Sequence, residues 1–315
     1  MEEWHSDIVI DKSFVRMCLE KHFPGLASSK SIECIGEGWN NKVYLIDDSI
    51  VFKFPHRKSS AELIAKDNLI INKLPDFQGI KIPKIRYIVN IETDCFYSFR
   101  GYDLIAGKSA YLTDFSEQEF VSSLMDLALF LKKLHAIDEK QALALGTKPQ
   151  AWDRTNFHKL IKETDLRIKK INQKNKSKIC EKTFIEEANS ITYIIFPEND
   201  KCLVHGDLDY RHLLFDRNRL AGIIDWDEIG INNRSVDLCV IWSFYPQLYH
   251  EIFFKYYGFV EENTWRYARF LGLCNAITLL YFAYGKKDVV LAQKSQEAIR
   301  RINSSLINLE KNHEY

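Results

Sequence analysis

The sequence predicts an α+β chain in two lobes, a small β-rich lobe followed by a larger and mostly helical one. Three observations lead there. Between residues 31 and 55, short apolar runs alternate with turn-forming residues, in SIECIGEGWNNKVYLIDDSIVFKFP, the pattern of a strand meander. Beyond Gly107 the apolar spacing becomes helical over most of the remaining length. Within that helical half, residues 202–228 (CLVHGDLDYRHLLFDRNRLAGIIDWDE) return to short apolar strands around a polar turn. They set two carboxylates, Asp207 and Asp225, at strand edges, where a loop held by strands can aim its side chains.

Taken in order, residues 13–23 have helical spacing and stop near Pro24-Gly25. Strands follow at 31–36, 42–47 and 50–55, with EGWNN as the first turn. Residues 59–74 read as a helix carrying Leu63, Ile64, Ile70, Ile71 and Leu74, and strands follow near 85–89 and 96–104. Gly107 breaks the pattern. A strongly apolar helix is expected over 116–138 and a linker over 139–150. Further helices are expected over 154–172, 178–196, 235–258, 262–284 and 288–311. This is the layout of a protein-kinase-like bilobal fold. It divides at Gly107 into a nucleotide-binding lobe, 1–106, and a lobe with the catalytic loop and substrate pocket, 107–315.

Composition narrows the function. The 315 residues are 46% hydrophobic and 27% charged, ordinary values for a globular protein. Lys+Arg and Asp+Glu are both 43, which argues against nucleic-acid binding by bulk charge. The seven cysteines form no CxxC pair, so neither a disulfide frame nor a zinc site is expected. The nine histidines have no metal-site spacing, and His135 reads as a packed or capping residue. The N-terminus lacks a long apolar run, and residues 270–284 are too short to span a bilayer. A cytoplasmic protein with no membrane partner is the expectation; oligomeric state is not legible.

The chemistry gathers around Asp207. A phosphoryl-accepting hydroxyl needs a carboxylate within hydrogen-bond reach to orient it and take its proton. His212, five residues on, can turn back toward the same point, and Asp225 can reach a shared metal. Magnesium prefers oxygen ligands and bridges nucleotide phosphates. HGDLDYRH follows the protein-kinase catalytic loop at His205, Asp207 and Leu208, and Asp225-Trp226-Asp227 stands where DFG would be. Lys53, mid-strand between Phe52 and Phe54, must point away from the apolar face. After a Gly-containing turn and before a helix, it reads as a phosphate-binding lysine. Its acidic partner is Glu62 or Asp67, with Asp67 preferred. Gly36 and Gly38 would let backbone amides approach phosphate. GYDLIAGKS has five residues between its glycines rather than the four of a P-loop, and reads instead as the segment joining the lobes. There the backbone from Asp103 to Ile105 could meet a purine edge. Asp237 could brace the catalytic loop from the next helix.

In this order, GEGWNNKVYLID…IVFKFP, GYDLIAGKS, LVHGDLDYRHLLFD and GIIDWDE resemble the aminoglycoside phosphotransferases and related antibiotic kinases, over residues 30–245. The first two blocks look most like the enzymes that phosphorylate a 2''-hydroxyl. The resemblance implies Asp207 as catalytic base, His212 and Asp225 as Mg2+ ligands, and Lys53 on the phosphates of ATP or GTP. The family usually has asparagine where His212 stands. Macrolide phosphotransferases are similar to this chain in carrying histidine there, and the same ring could instead contact phosphate or hold the loop. The implied reaction is γ-phosphoryl transfer to a hydroxyl of an aminoglycoside-like molecule. Asp209, Asp227 and Glu228 would begin an acidic pocket for a polycation. A macrolide, sugar, choline or other metabolite is the alternative acceptor, and a nucleotide-binding pseudokinase is the contrasting class.

Overall fold

In a computed structural model, which describes residues 6–26, 28–57, 60, 69–90, 98–150, 154, 156–174, 178–196, 200–217 and 219–312 (side chains only to 304), the chain forms two compact units. One comprises 1–76 and 81–105, the other 77–80 and 106–315.

The first unit is built on a five-stranded antiparallel sheet of β1 (Ile32–Glu37), β2 (Asn41–Ile46), β3 (Ile50–Pro55), β4 (Ile85–Val89) and β5 (Phe99–Asp103), in the order β1-β2-β3-β5-β4. Helix α1 (Lys12–His22) starts at Asp11, whose carboxylate accepts the Phe14 amide at 2.8 Å, the usual device for satisfying a helix start. It packs Val15, Cys18 and Leu19 onto a core of Tyr44, Phe52, Phe54 and Phe99. The Phe54 and Phe99 rings stack at 4.7 Å. This packing fixes Gly101, because a Cβ there would come within 2.6 Å of the Phe52 ring. The helix expected over 59–74 falls largely outside the described residues. Its last part is a separate helical turn, Ile70–Lys73, after Leu69 in the left-handed region (φ 52°).

In the second unit, helix α2 (Glu117–His135) opens with a capping box between Ser116 and Glu119. The expected linker contains a short helix, α3 (Glu139–Ala144), and the signal was present: Asp138 and Gln141 form a second capping box. Helices α4 (Phe157–Lys174) and α5 (Glu181–Ile191) follow. The helix expected over 235–258 is two, α6 (Ser235–Phe244) and α7 (His250–Tyr257), because Pro246 cannot continue a helix. Every residue of α6 is buried, Asp237 included. It packs against the long α8 (Glu262–Lys286), which also carries α9 (Val289–Asn312). No helix among the described residues is long and apolar enough to cross a membrane.

Two small sheets sit within this unit. Strand β6 (Lys108–Ser109) pairs with β8 (Leu213–Asp216), which forms a hairpin with β9 (Arg219–Ile223). Strand β7 (Lys201–Val204) pairs antiparallel with β10 (Gly230–Asn233), so Val204 lies opposite Gly230. The sequence reading missed β10, whose residues, GINN, lack strand-like composition. Its pairing closes residues 205–229 into one loop system with both ends tied.

Candidate active site

The turn after β7 carries His205, Gly206 and Asp207. Asp237, in the first turn of α6, accepts the amide of Gly206 on Oδ1 at 2.9 Å and that of His205 on Oδ2 at 2.7 Å. Burial alone would raise this carboxyl. The hydrogen bond and charge of His135, then His205 and the Gly206 amide, hold it below the ordinary range. His135 donates from Nε2 to Asp237 Oδ2 at 3.1 Å, and its Nδ1 faces the Tyr257 hydroxyl at 2.8 Å. His205 is fully buried, which lowers its pKa and keeps the ring neutral. Its Nε2 donates to the Ile224 carbonyl at 2.9 Å, and its Nδ1 accepts the Asp207 amide at 3.2 Å. One neutral imidazole thus links the Asp207 turn to the residue before Asp225.

His212 makes the second link. Its Nδ1 donates to the Asp207 carbonyl at 2.7 Å, and its Nε2 lies 3.3 Å from Asp225 Oδ2. The Ile224 amide donates to the His212 carbonyl at 3.0 Å. Asp225 has φ 67°, a conformation costing a non-glycine residue about 1–3 kcal/mol, though least for Asp and Asn. That turn directs its carboxylate at His212. Ligand atoms of Asp207, Asp209 and His212 all lie within 4.8 Å of one another.

Asp209 departs from its expected place in an open acidic pocket. It is 5% exposed, and Arg211 chelates both its oxygens, Nη2 to Oδ2 at 2.6 Å and Nε to Oδ1 at 3.1 Å. Burial would raise its carboxyl, but Arg211 and then His212 hold it low. Its charge is committed inside the loop. Asp227 is exposed and Glu228 half-buried. Burial raises the Glu228 carboxyl, against the pull of the Arg154 charge.

A feature that sequence reasoning missed lies across both turns. Gln150 donates from Nε2 to the Glu228 carbonyl at 2.7 Å and accepts from Asn232 Nδ2 at 2.7 Å, while the Ile231 amide donates to the Lys148 carbonyl at 3.0 Å. Gly206 (φ 91°) passes beneath: a Cβ would lie 2.0 Å from Gln150 Nε2 and 2.1 Å from the Glu228 carbonyl oxygen. Further along, Arg154 Nη2 donates to Asp207 Oδ1 at 2.7 Å. Lys148, Gln150 and Arg154 thus lie across the site. The polar run Lys148, Gln150, Arg154 carries no periodicity that distinguishes it from a loop.

In the first unit, Lys53 on β3 lies in register between Val43 and Arg100 and is 9% exposed. Asp67 and Glu62 lie outside the described residues. Gly36 pairs with Val43 beside a β-bulge, and the Gly38 amide donates to the Asn41 carbonyl at 2.9 Å. A Cβ at either glycine would make only ordinary contacts, so neither is required by packing. The Asp103 carboxylate pairs with Arg86 at 2.6 Å. The Leu104 amide is taken by the Ser49 carbonyl at 2.8 Å, and Ile105 is buried.

Comparison with known proteins agrees on one family. The model of the phosphotransferase enzyme family (APH) matches residues 31–271. An aminoglycoside 3'-phosphotransferase of Escherichia coli is 26% identical over 214 residues, covering 64% of this chain and 72% of that protein. One of Salmonella typhimurium is 24% identical over 226 residues, covering 69% and 78%. Among solved structures, the GDP complex of wild-type aminoglycoside 2'-phosphotransferase-IIIa superposes with TM-score 0.67 at 20% identity, over 94% of this chain and 99% of that one. The macrolide 2'-phosphotransferase MphH of Brachybacterium faecium superposes with TM-score 0.59 at 17% identity, over 90% and 97%.

Proposed function

This chain belongs to the phosphotransferase enzyme family, and from that premise we propose that it transfers the γ-phosphoryl group of ATP or GTP to a hydroxyl of an aminoglycoside-like antibiotic. The observation that carries the reading is the join between its two carboxylate turns. His205 and His212 tie the backbone around Asp207 to that around Asp225. Phosphoryl transfer is mostly a matter of position and electrostatics, and this join fixes position.

In this reading Asp207 orients the acceptor hydroxyl and takes its proton. Its side chain is 33% exposed, so a bound hydroxyl can reach it. Mg2+ fits the donor set at His212 and Asp225. With Nδ1–H given to the Asp207 carbonyl, His212 Nε2 lies 3.3 Å from Asp225 Oδ2, which brings a ring nitrogen and a carboxylate oxygen to one place. The ion would neutralise charge on the nucleotide phosphates. Lys53 is assigned to those phosphates with Gly36 and Gly38 over them, Asp67 to the lysine's ion pair, and the backbone from Asp103 to Ile105 to the base. Residues 1–106 are then the nucleotide side and 107–315 the acceptor side. Asp227 and Glu228 supply negative charge near Asp207 for a polycationic acceptor. Asp209 braces the loop through Arg211.

A macrolide acceptor is the second reading, favoured by one residue: His212 stands where aminoglycoside enzymes usually carry asparagine. Kanamycin, gentamicin, streptomycin and a macrolide, each with ATP and with GTP, separate the two when Asp207→Asn serves as the blank. Phosphorylation of an aminoglycoside supports the proposal. Turnover of the macrolide alone moves the acceptor class, and no turnover of any drug sinks the antibiotic-kinase reading.

A further inference from the structure

Arg154 takes part in none of the assignments above, yet its guanidinium forms an ion pair with the Asp207 side chain. The pair is asymmetric. The arginine side chain is 7% exposed and the aspartate 33%, so the guanidinium reaches the carboxylate from the interior. Nη2 lies 2.7 Å from Asp207 Oδ1, and Nη1 lies 3.4 Å from Asn275 Oδ1 on α8. The Arg154 carbonyl accepts the Tyr267 hydroxyl, also from α8, at 2.5 Å. Backbone and head group are therefore both fastened to one long helix. Burial pulls the guanidinium pKa down, but the charges of Asp207 and Glu228 outweigh it, so the group stays cationic.

We propose that Arg154 is a positioning residue for phosphoryl transfer: it fixes Oδ1 of Asp207 from behind, so that Oδ2 is the oxygen that meets the acceptor hydroxyl. This rests on the phosphotransferase reading of Asp207 above. A loose phosphoryl-transfer transition state demands little proton abstraction but accurate aim, so holding one carboxylate oxygen in place favours the reaction. The planar fork reaches Asp207 and Asn275 from two separate nitrogens, Nη2 and Nη1, whereas a lysine would have to serve both from one.

Two double-mutant cycles over Arg154→Gln and Asp207→Asn test this, one kinetic and one in urea. With kanamycin and its better nucleotide, Arg154→Gln lowers kcat about a hundredfold, leaving the nucleotide KM within about twofold. In the Asp207→Asn background the same change costs less than about threefold. Arg154→Lys recovers no more than about a tenth of the wild-type rate. In urea, Arg154→Gln lowers the midpoint more when Asp207 is present than when it is asparagine. An equal kinetic loss in both backgrounds, or an unchanged kcat in Arg154→Gln, overturns the proposal. So does an equal midpoint loss in both. If the wild type modifies none of the four drugs with either nucleotide, the functional reading fails. The urea cycle then still decides the pair: coupling supports the hold of Arg154 on Asp207, and additivity overturns it.

Discussion

Asp237 Oδ1 accepts the Gly206 amide at 2.9 Å, from a residue 31 positions away in the chain and wholly buried in α6. The turn that carries Asp207 is therefore held by a helix whose ten residues are all inside the protein. Replacing Asp237 with alanine leaves two buried amides and His135 without their acceptor. Breaking one partner of such a buried network costs about 3–5 kcal/mol. Asp237→Ala should lower the urea midpoint accordingly and abolish turnover, as unfolding curves and initial rates of the same preparation will report.

Asp207→Asn keeps the shape of the side chain and an oxygen for Arg154, but removes the charge. Loss of a general base or orienting carboxylate costs about 10²–10⁴-fold in rate. Nucleotide affinity by calorimetry should stay within about twofold of wild type. A variant with undiminished turnover would remove Asp207 from the chemistry.

Gly206 is the tightest point of the site. A methyl group there would meet Gln150 Nε2 and the Glu228 carbonyl oxygen at about 2 Å, at φ 91°. Gly206→Ala must push Gln150 and the Glu228 carbonyl off the turn, and we expect it to lose both stability and turnover. Gly38→Ala, whose Cβ meets nothing closer than 3.8 Å, should retain its fold and serves as the control in thermal melts.

His212 joins the two carboxylate turns. His212→Asn should keep turnover within about tenfold of wild type and lower the Mg2+ concentration for half-maximal rate, because an amide oxygen suits magnesium better than imidazole. His212→Ala should weaken Mg2+ about 10–100-fold. Metal titrations of initial rate check both, and equal behaviour of the two variants would take His212 off the metal.

His250 gives the fold a pH dependence. It is 5% exposed between the rings of Trp242 and Trp265, at 4.7 and 5.3 Å, and burial lowers its pKa to about 4. Its folded pKa lies below the unfolded 6.5, so the unfolded chain binds more protons in that window. Its contribution is whole above pH 6.5 and is lost as pH falls toward 4, by up to about 3 kcal/mol. The wild-type urea midpoint should fall through that window more steeply than that of His250→Gln, and parallel curves would refute the assignment.

Much of the fold was legible because local pattern and burial coincide. The strands of the meander lie where short apolar runs between turn residues placed them, at β1, β2 and β3, and the apolar stripe of α2 is the face it buries. The breaks were harder. Pro246 divides a stretch whose apolar spacing runs straight through it. The residues of β10, Gly230–Asn233, are strand only because Val204 and its neighbours lie opposite. The surroundings of Asp209 were not legible either: Arg211, two residues away, takes both its oxygens.

The sequence by itself determined the candidate groups and their order along the chain: Lys53 on β3, then Asp207, His212 and Asp225 beside the ends of β7, β8 and β9. Only the tertiary structure decided what each group faces. Arg154 meets Asp207 across 53 residues, and His135 meets Asp237 across 102. Neither pairing has a local signal, because each depends on helices that pack through their apolar faces and bring polar partners along. Side-chain type is written in the chain one residue at a time, whereas the partner of a buried charge is set by which helices pack together.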